Sequence, residues 1–416
     1  MFRTTSGWNY KLPCVTTVTA AFDDTKVRFT LGGTIFTKTK GGMKPGQIKE
    51  WSLMKGDVLA ISNDTDEGDL SGSKVVSTKP VAVTTGNMCA NIPTGNQWCD
   101  YTAEMDIPTF AWGKNLHIGK IFNRTKASIV RIFAKEPNTK IYRNGLNIGT
   151  IATAGGVEGK GFQVMRMTQD SKPGSVVFSG DKPITVTLYN TGIQEDGYPL
   201  PNSDPFVMST IPVEQYQKEI YFCTPGIKDG KAFKENYVNL VYETNSLGMM
   251  PDDMEIAGPV HGEAFTWKKV SEEFSGMDEL FKHDVNGKKY AIKLIMLPGD
   301  GVYSIRSQTP FAAYGFGYDS QDSYGYPLAA AFTDIEKADT IPPVPTYTLN
   351  CDGSISDGVV TDMPDDDAIR SNLSTIVFQS SLSFNYIFQY VGFETGKSRT
   401  TSWTLQVIDP SQDAKA

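Results

Sequence analysis

The feature that most constrains the fold is a strand phrase, built around a proline, that occurs three times. The copies are "STKPVAV" at residues 77–83, "SGDKPITV" at 179–186 and "SQTPFAAY" at 307–314. Proline cannot donate a ladder hydrogen bond, so Pro80, Pro183 and Pro310 are expected at strand starts or sheet edges. Recurrence at roughly 100-residue intervals predicts an array of similar sheet units.

The chain is predicted to be all-β. Each copy holds about eight short strands, enough for two four-stranded sheets. Three copies then give six sheets, which predicts a six-bladed β-propeller over residues 1–338, with a row of β-sandwiches as the alternative. Asn144-Gly145 and Asn286-Gly287 predict two-residue hairpin turns. A helix is predicted only over residues 271–282, where "SEEFSGMDELFK" opens with Ser and early acids.

The C-terminal part is predicted to form a second domain. The proline-rich stretch "ADTIPPVPTYTLN" at 338–350 ends the repeats. Short strand-like runs separated by turn residues follow it. This pattern predicts an immunoglobulin-like β-sandwich over residues 339–416.

Charge and hydropathy limit the classes of partner that the chain is expected to bind. The 416 residues carry a net charge of −8, and no basic run with interleaved aromatics occurs. These facts argue against nucleic acid and anionic membranes as partners. No apolar run is long enough to predict a membrane span. The start lacks the apolar core of a signal peptide, so we expect the chain to be part of a larger polypeptide.

The cysteines leave alternatives open. Cys89 and Cys99 flank a Gly/Pro/Asn turn, which is compatible with a disulfide or with two free thiols. The sequence does not set the pairing of Cys14, Cys223 and Cys351.

An acidic, aromatic stretch is the candidate binding surface. "YGFGYDSQDSYGYP" at 314–327 offers rings that give large contact area to a sugar or peptide. The candidate ligand-binding residues are Tyr314, Tyr318, Asp319, Asp322, Tyr324 and Tyr326. "GYPL" at 325–328 recurs at 197–200, so packing beneath a turn is the alternative for Tyr326. Tyr318 and Tyr324 lack such counterparts and are the stronger candidates.

Cofactor and catalytic signals are weak. Asp64, Asp66 and Asp69 in "NDTDEGDLSG" are candidate Ca²⁺ ligands without the EF-hand spacing, and a solvated hairpin loop is the alternative. Asp319 and Asp322 are further candidates. The three histidines are not spaced as metal ligands, and no nucleophile elbow, P-loop or dinucleotide fingerprint occurs. We expect a non-enzymatic protein without a resident cofactor.

A longer stretch resembles a known family. "STKPVAVTTGNMCANIPTGNQWCDYTAEMDIPTFAWGKNLHI" at 77–118 resembles the core of the N-terminal domain family named after the IgGFc-binding protein. The resemblance extends over roughly 27–332. It implies an extracellular module of secreted mucin-like or large bacterial surface proteins, with Cys89 and Cys99 as a disulfide and Trp112-Gly113-Lys114 as a structural signature. The C-terminal part is similar to immunoglobulin-like modules that follow this domain in bacterial versions, which implies a bacterial source.

Three functional hypotheses follow. The first is an adhesion or ligand-binding module at the cell surface, whose partner is a host or neighbouring-cell glycoprotein, a polysaccharide or another surface protein. It predicts that Tyr318 and Tyr324 are exposed. The second is a structural spacer or filament subunit, which predicts that they are buried or at a subunit contact. The third is a secreted hydrolase, which predicts carboxylates that converge with perturbed pKa values.

Overall fold

The structure is a computed structural model in two compact units, Met1–Phe332 and Thr333–Ala416. It describes residues 12–64, 68–96, 98–197, 203–226, 232–260, 266–276, 278–320, 322–329, 341–366, 370, 372–373, 376, 378, 383–394 and 397–415. The predicted division after residue 338 falls outside these ranges. None of the helices in the described ranges has the length and hydrophobicity needed to cross a bilayer.

The first unit consists of three successive repeats of antiparallel strands. In the described residues the first repeat contains β1 (Cys14–Ala20), β2 (Thr25–Thr30), β3 (Ile48–Leu53), β4 (Val58–Ser62), β5 (Lys74–Ser77), β6 (Val81–Ala90) and β7 (Asp100–Met105). The second contains β8 (Gly113–Ile118), β9 (Ile129–Ala134), β10 (Thr139–Arg143), β11 (Leu146–Ile151), β12 (Phe162–Arg166), β13 (Val176–Tyr189) and β14 (Val207–Ser209). The third contains β15 (Gln217–Cys223), β16 (Glu235–Glu243), β17 (Glu255–Val260), β18 (Trp267–Lys269), β19 (Glu279–Leu280), β20 (Tyr290–Met296), β21 (Val302–Asp319) and β22 (Asp322–Pro327).

The same strand pairing recurs in the repeats. In the second repeat, β13 pairs with β8 and β10 through its first half and with β9 and β14 through its second half. In the third, β21 pairs in the same way with β15 and β17, then with β16 and β22. In the first repeat this long strand is divided, because β5 pairs with β2 whereas β6 pairs with β1 and β7.

The recurring proline marks the point where the two halves of this strand meet. Pro80 lies in the gap between β5 and β6. Pro183 and Pro310 lie inside β13 and β21, where the pairing register shifts. The missing N–H is accommodated by this irregularity, so the strand bends but continues.

The six-bladed propeller is not confirmed. The described strands of the first unit form sheets of four, three, seven and eight strands. Six separate four-stranded sheets were predicted. The difference arises because β13 and β21 run through the proline position, and each therefore joins two predicted sheets into one curled sheet. The all-β class is confirmed.

Helices are few and short in the described residues. They are the 3-10 helices Thr109–Ala111, Ile193–Asp196 and Val213–Gln215 and the α-helix α1 (Val270–Glu273). The helix predicted over 271–282 is therefore wrong beyond its first turn. Gly276 has φ +125°, and β19 pairs with β20 instead. The hairpin turns are confirmed, since Asn144, Gly145, Asn286 and Gly287 all have positive φ.

The largest hydrophobic core is shared by the second and third repeats. It contains Phe178 and Val186 from β13 together with Tyr314, Phe316 and Tyr318 from β21, all at most 2% exposed. Burial of each such side chain contributes about 1.5–3 kcal/mol relative to exposure. The two repeats therefore share one core.

The second unit contains one described sheet, in the order β23-β24-β26-β25. Its strands are β23 (Val344–Thr346), β24 (Ile355–Thr361), β25 (Tyr386–Tyr390) and β26 (Thr400–Val407). The immunoglobulin-like sandwich is not confirmed by this single described layer.

Candidate functional site

The predicted binding loop is a regular hairpin. Strands β21 and β22 pair from Tyr314 opposite Pro327 to Asp319 opposite Asp322. Aromatic residues alternate with glycines in "YGFGY" at 314–318. Successive strand residues point to opposite faces, so the rings share one face and the glycines share the other.

The aromatic face of β21 points into the core. Tyr314 and Tyr318 are 2% and 1% exposed, so the exposure that the binding hypothesis predicts for Tyr318 is wrong. The Tyr314 hydroxyl accepts the Ile211 N–H at 2.9 Å, and the Tyr318 hydroxyl donates to the Phe122 carbonyl oxygen at 3.2 Å. Burial raises the pKa of both phenols. Both tyrosines therefore join the third repeat to the second.

The glycine face of β21 is covered by the other two tyrosines. A Cβ at Gly317 would lie 2.4 Å from the Tyr324 ring, so only glycine lets this ring lie against the strand. Tyr324 and Tyr326 are half-buried, and their hydroxyls donate to Asn236 Oδ1 at 2.6 Å and to the Cys223 carbonyl oxygen at 2.5 Å. Each keeps part of its ring accessible, and their role in ligand binding stays a prediction.

The two acids of the hairpin tip have different surroundings. Asp319 forms an ion pair with Lys234 at 2.8 Å, and the hydrogen bond from Lys234 lowers the pKa of Asp319. Asp322 faces Asp204, and burial together with the Asp322 carboxylate raises the pKa of Asp204 to about 6. Burial and the Asp204 carboxylate likewise raise the pKa of Asp100 to about 7.

Asp100, Asp204 and Asp322 form what we call the carboxylate seam. They lie at or just before β7, β14 and β22, which hold the same pairing position in the three repeats. The Ser209 N–H of β14 donates to Glu104 Oε2 of β7 at 3.1 Å, which brings the first two edges together. The seam thus gathers one equivalent carboxylate from each repeat.

The acidic loop proposed for Ca²⁺ is engaged in ion pairs. Asp64 lies 3.8 Å from Lys38, and Asp69 is buried 2.8 Å from Arg131. Burial would raise the pKa of Asp69, but the Arg131 guanidinium holds it well below its usual range. Asp66 lies outside the described residues. The described residues contain no group of three His, Cys, Asp or Glu placed to hold a metal.

A disulfide joins Cys89 and Cys99, with their Cα atoms 5.0 Å apart. It ties β6 to the segment that enters β7, as the family resemblance implied. Sequence reasoning missed the exposed apolar side chains on the segments that the disulfide joins, which we call the disulfide face: Met88 on β6, Trp98, and Tyr101 and Met105 on β7. The alternation of Tyr101, Ala103 and Met105 along β7 is the signal that could have revealed it.

Comparison with known proteins decides the family. A family model described as IgGFc binding protein matches residues 2–317, about three quarters of the chain. The chain belongs to the IgGFc-binding protein family. The human protein named IgGFc-binding protein is 28% identical over 100 residues, which is 24% of this chain and 2% of that protein. No solved structure matches.

The residues that the resemblance singles out, Trp112 and Lys114, lie at the start of the second repeat. The Trp112 indole N–H donates to the Ile107 carbonyl oxygen at 2.9 Å. The Lys114 N–H donates to Glu214 Oε1 at 3.2 Å, which attaches the start of β8 to a segment one hundred residues later. In this member of the IgGFc-binding protein family both contacts hold the chain at the start of β8.

Proposed function

We propose that the chain is an extracellular, non-enzymatic adhesion or ligand-binding module of a larger bacterial surface protein. Family membership and the Cys89–Cys99 disulfide support an oxidising, extracellular location. An immunoglobulin-like second unit is part of this proposal, supported by its four-stranded antiparallel sheet.

The disulfide face is the observation that carries the proposal. Tyr101 is 66% exposed and Trp98 is 44% exposed, beside two exposed methionines. Large rings on a covalently braced hairpin lose little conformational freedom on binding, and such residues dominate protein interfaces. An exposed cluster of this composition is typical of an interaction site.

The partner is proposed to be a protein or a glycan. The human relative's name states binding to IgG Fc, but the match covers 2% of that protein. A shared fold does not transfer a ligand. IgG Fc is therefore one probe among several.

An array of glycans and extracellular proteins, with IgG Fc included, tests the proposal. We compare the wild type with Trp98→Ala/Tyr101→Ala and with a control that removes two exposed apolar side chains elsewhere, Ile35→Ala/Phe36→Ala. We expect hits that weaken at least tenfold in the first variant and are unchanged in the control. Equal effects of both variants, or no hit with folded protein, would count against the proposal.

A structural spacer or filament subunit is the second candidate, favoured by the burial of Tyr314 and Tyr318. Sedimentation velocity between 1 and 100 µM, as rough limits, tests it through growth into long assemblies.

The hydrolase hypothesis rests on the raised pKa values in the carboxylate seam. Hydrolysis of chromogenic glycosides that is lost in Asp100→Asn would support it.

A further inference from the structure

An open cavity lies in the second repeat, at its border with the third. Its volume is about 510 Å³, and its lining is formed by Lys120, Ile121, Phe122, Asn123, Arg124, Thr125, Lys172 and Pro173. The charged residues of this lining are all cations, and no carboxylate belongs to it. Two of these cations are neutralised, because Arg124 is buried against Asp196 and Lys120 lies 3.0 Å from Glu279, and Lys172 is the cation that stays available.

The loop at residues 120–125, which forms most of the cavity lining, is held in place by contacts with neighbouring segments. The Asn239 amide donates to the Lys120 carbonyl oxygen at 3.0 Å, and the Tyr318 hydroxyl donates to that of Phe122. Arg124 makes a buried ion pair with Asp196, whose carboxylate also accepts the Thr125 N–H at 2.6 Å. A site fixed in this way needs little ordering when a ligand binds.

Two kinds of group face the ligand. The Lys172 side chain is exposed and has no ion-pair partner among the described residues, whereas Lys120 Nζ lies 3.0 Å from Glu279. The Phe122 ring is 41% exposed and packs on Tyr237 with ring centroids 5.0 Å apart. A supported aromatic face therefore lies beside an available ammonium group.

The backbone N–H groups at both ends of the loop are engaged within the protein. The N–H groups of Thr125 and Lys126 donate to Asp196, and that of Lys120 donates to Ser175 Oγ. A peptide that adds to a backbone depends on such free groups. The side chains available for recognition in this cavity are the Lys172 amine and the Phe122 ring.

We propose that this cavity binds an anionic sugar unit of a glycan, one that carries a sulfate or a carboxylate. The Lys172 ammonium group attracts the anion, and the Phe122 ring packs against the apolar face of the sugar. The volume lies within the range of small-ligand sites. This inference rests on the proposed ligand-binding function and places a second, chemically distinct site away from the disulfide face.

Titration calorimetry tests the inference with four probes. They are a heparin-derived tetrasaccharide, a hyaluronan tetrasaccharide, neutral chitotetraose and an octapeptide of glutamate. The variants are Lys172→Glu, Phe122→Leu and the matched charge control Lys140→Glu, which changes an exposed lysine on β10. We expect a charged tetrasaccharide to bind, with affinity about tenfold lower in Lys172→Glu, about threefold lower in Phe122→Leu and changed less than about twofold in the control.

Four results would overturn the inference. Chitotetraose could bind as well as the charged sugars, Lys140→Glu could weaken binding as much as Lys172→Glu, or the peptide could bind more tightly than any sugar. Absence of binding by both charged sugars also rejects the site. Because the disulfide-face variant is measured separately, a hit that depends on Trp98 and Tyr101 would leave the proposed function standing when the cavity fails.

Discussion

The carboxylate seam predicts that the first unit becomes less stable as the pH rises through the weakly acidic range. The Asp100 pKa is about 7 in the folded chain, because burial and the Asp204 carboxylate disfavour the charged form. An unfolded aspartate has a pKa of about 3.9. Between these values the folded state binds more protons than the unfolded state. Stability is therefore lost from about pH 4 to about pH 7 and stays constant above that range.

Asn in place of Asp100 removes the charge without changing the shape of the side chain. A difference of about three pKa units corresponds to about 4 kcal/mol. Asp100 is half-buried, so solvent screening reduces this to about 1–2 kcal/mol. Asp100→Asn is expected to stabilise the protein by that amount at pH 8 and to have little effect at pH 4.5. For a unit of this size the shift in Tm at pH 8 is about 2–3 °C.

Scanning calorimetry at pH 4.5 and pH 8 measures this difference, with Asp252→Asn at an exposed turn as the control. A Tm that falls in Asp100→Asn at pH 8, or rises equally at both pH values, would refute the reasoning. A shift of the same size in the control would assign the effect to net charge.

Three further predictions concern stability. Arg124→Met leaves the Asp196 carboxylate buried without its partner. It should lower the free energy of unfolding, measured in urea, by about 3–5 kcal/mol, and Arg124→Met/Asp196→Leu should recover part of this loss. Gly325→Ala places a Cβ 2.3 Å from the Phe206 ring and should cost about 1–3 kcal/mol by the same measurement, and a neutral result would contradict the packing. Reduction of the disulfide, which closes a loop with a sequence separation of 10, should cost about 2–3 kcal/mol, and an unchanged urea midpoint would argue against its role.

The sequence predicted local features well. The β-branched runs predicted strands, Asn-Gly pairs predicted turns, and the cysteine spacing together with the family resemblance predicted the disulfide. Each of these depends on a few neighbouring residues, so the chain needs no further context to specify it. The recurring prolines differ from the expectation, because Pro183 and Pro310 lie inside β13 and β21 at a register shift and not at strand starts or sheet edges.

The orientation of the aromatic hairpin could not be predicted in this way. "YGFGY" lies in the stretch predicted to be a binding surface, whereas its alternation describes a strand with rings on one face and glycines on the other. Which face is buried depends on the second repeat, more than a hundred residues away in sequence. The cavity has the same origin, because its supporting contacts from Asn239 and Tyr318 come from the third repeat.

The hydroxyls of Tyr314 and Tyr318 have a consequence for how the molecule comes apart. Both hydroxyls belong to the third repeat and form hydrogen bonds with backbone groups of the second, inside a core that the two repeats share. Separation of the repeats would leave these polar groups without hydrogen-bond partners and would expose the shared core to water at the same time. The second and third repeats should therefore melt together in a single cooperative step, and a fragment cut between them would lack the partner surface that each half needs to fold.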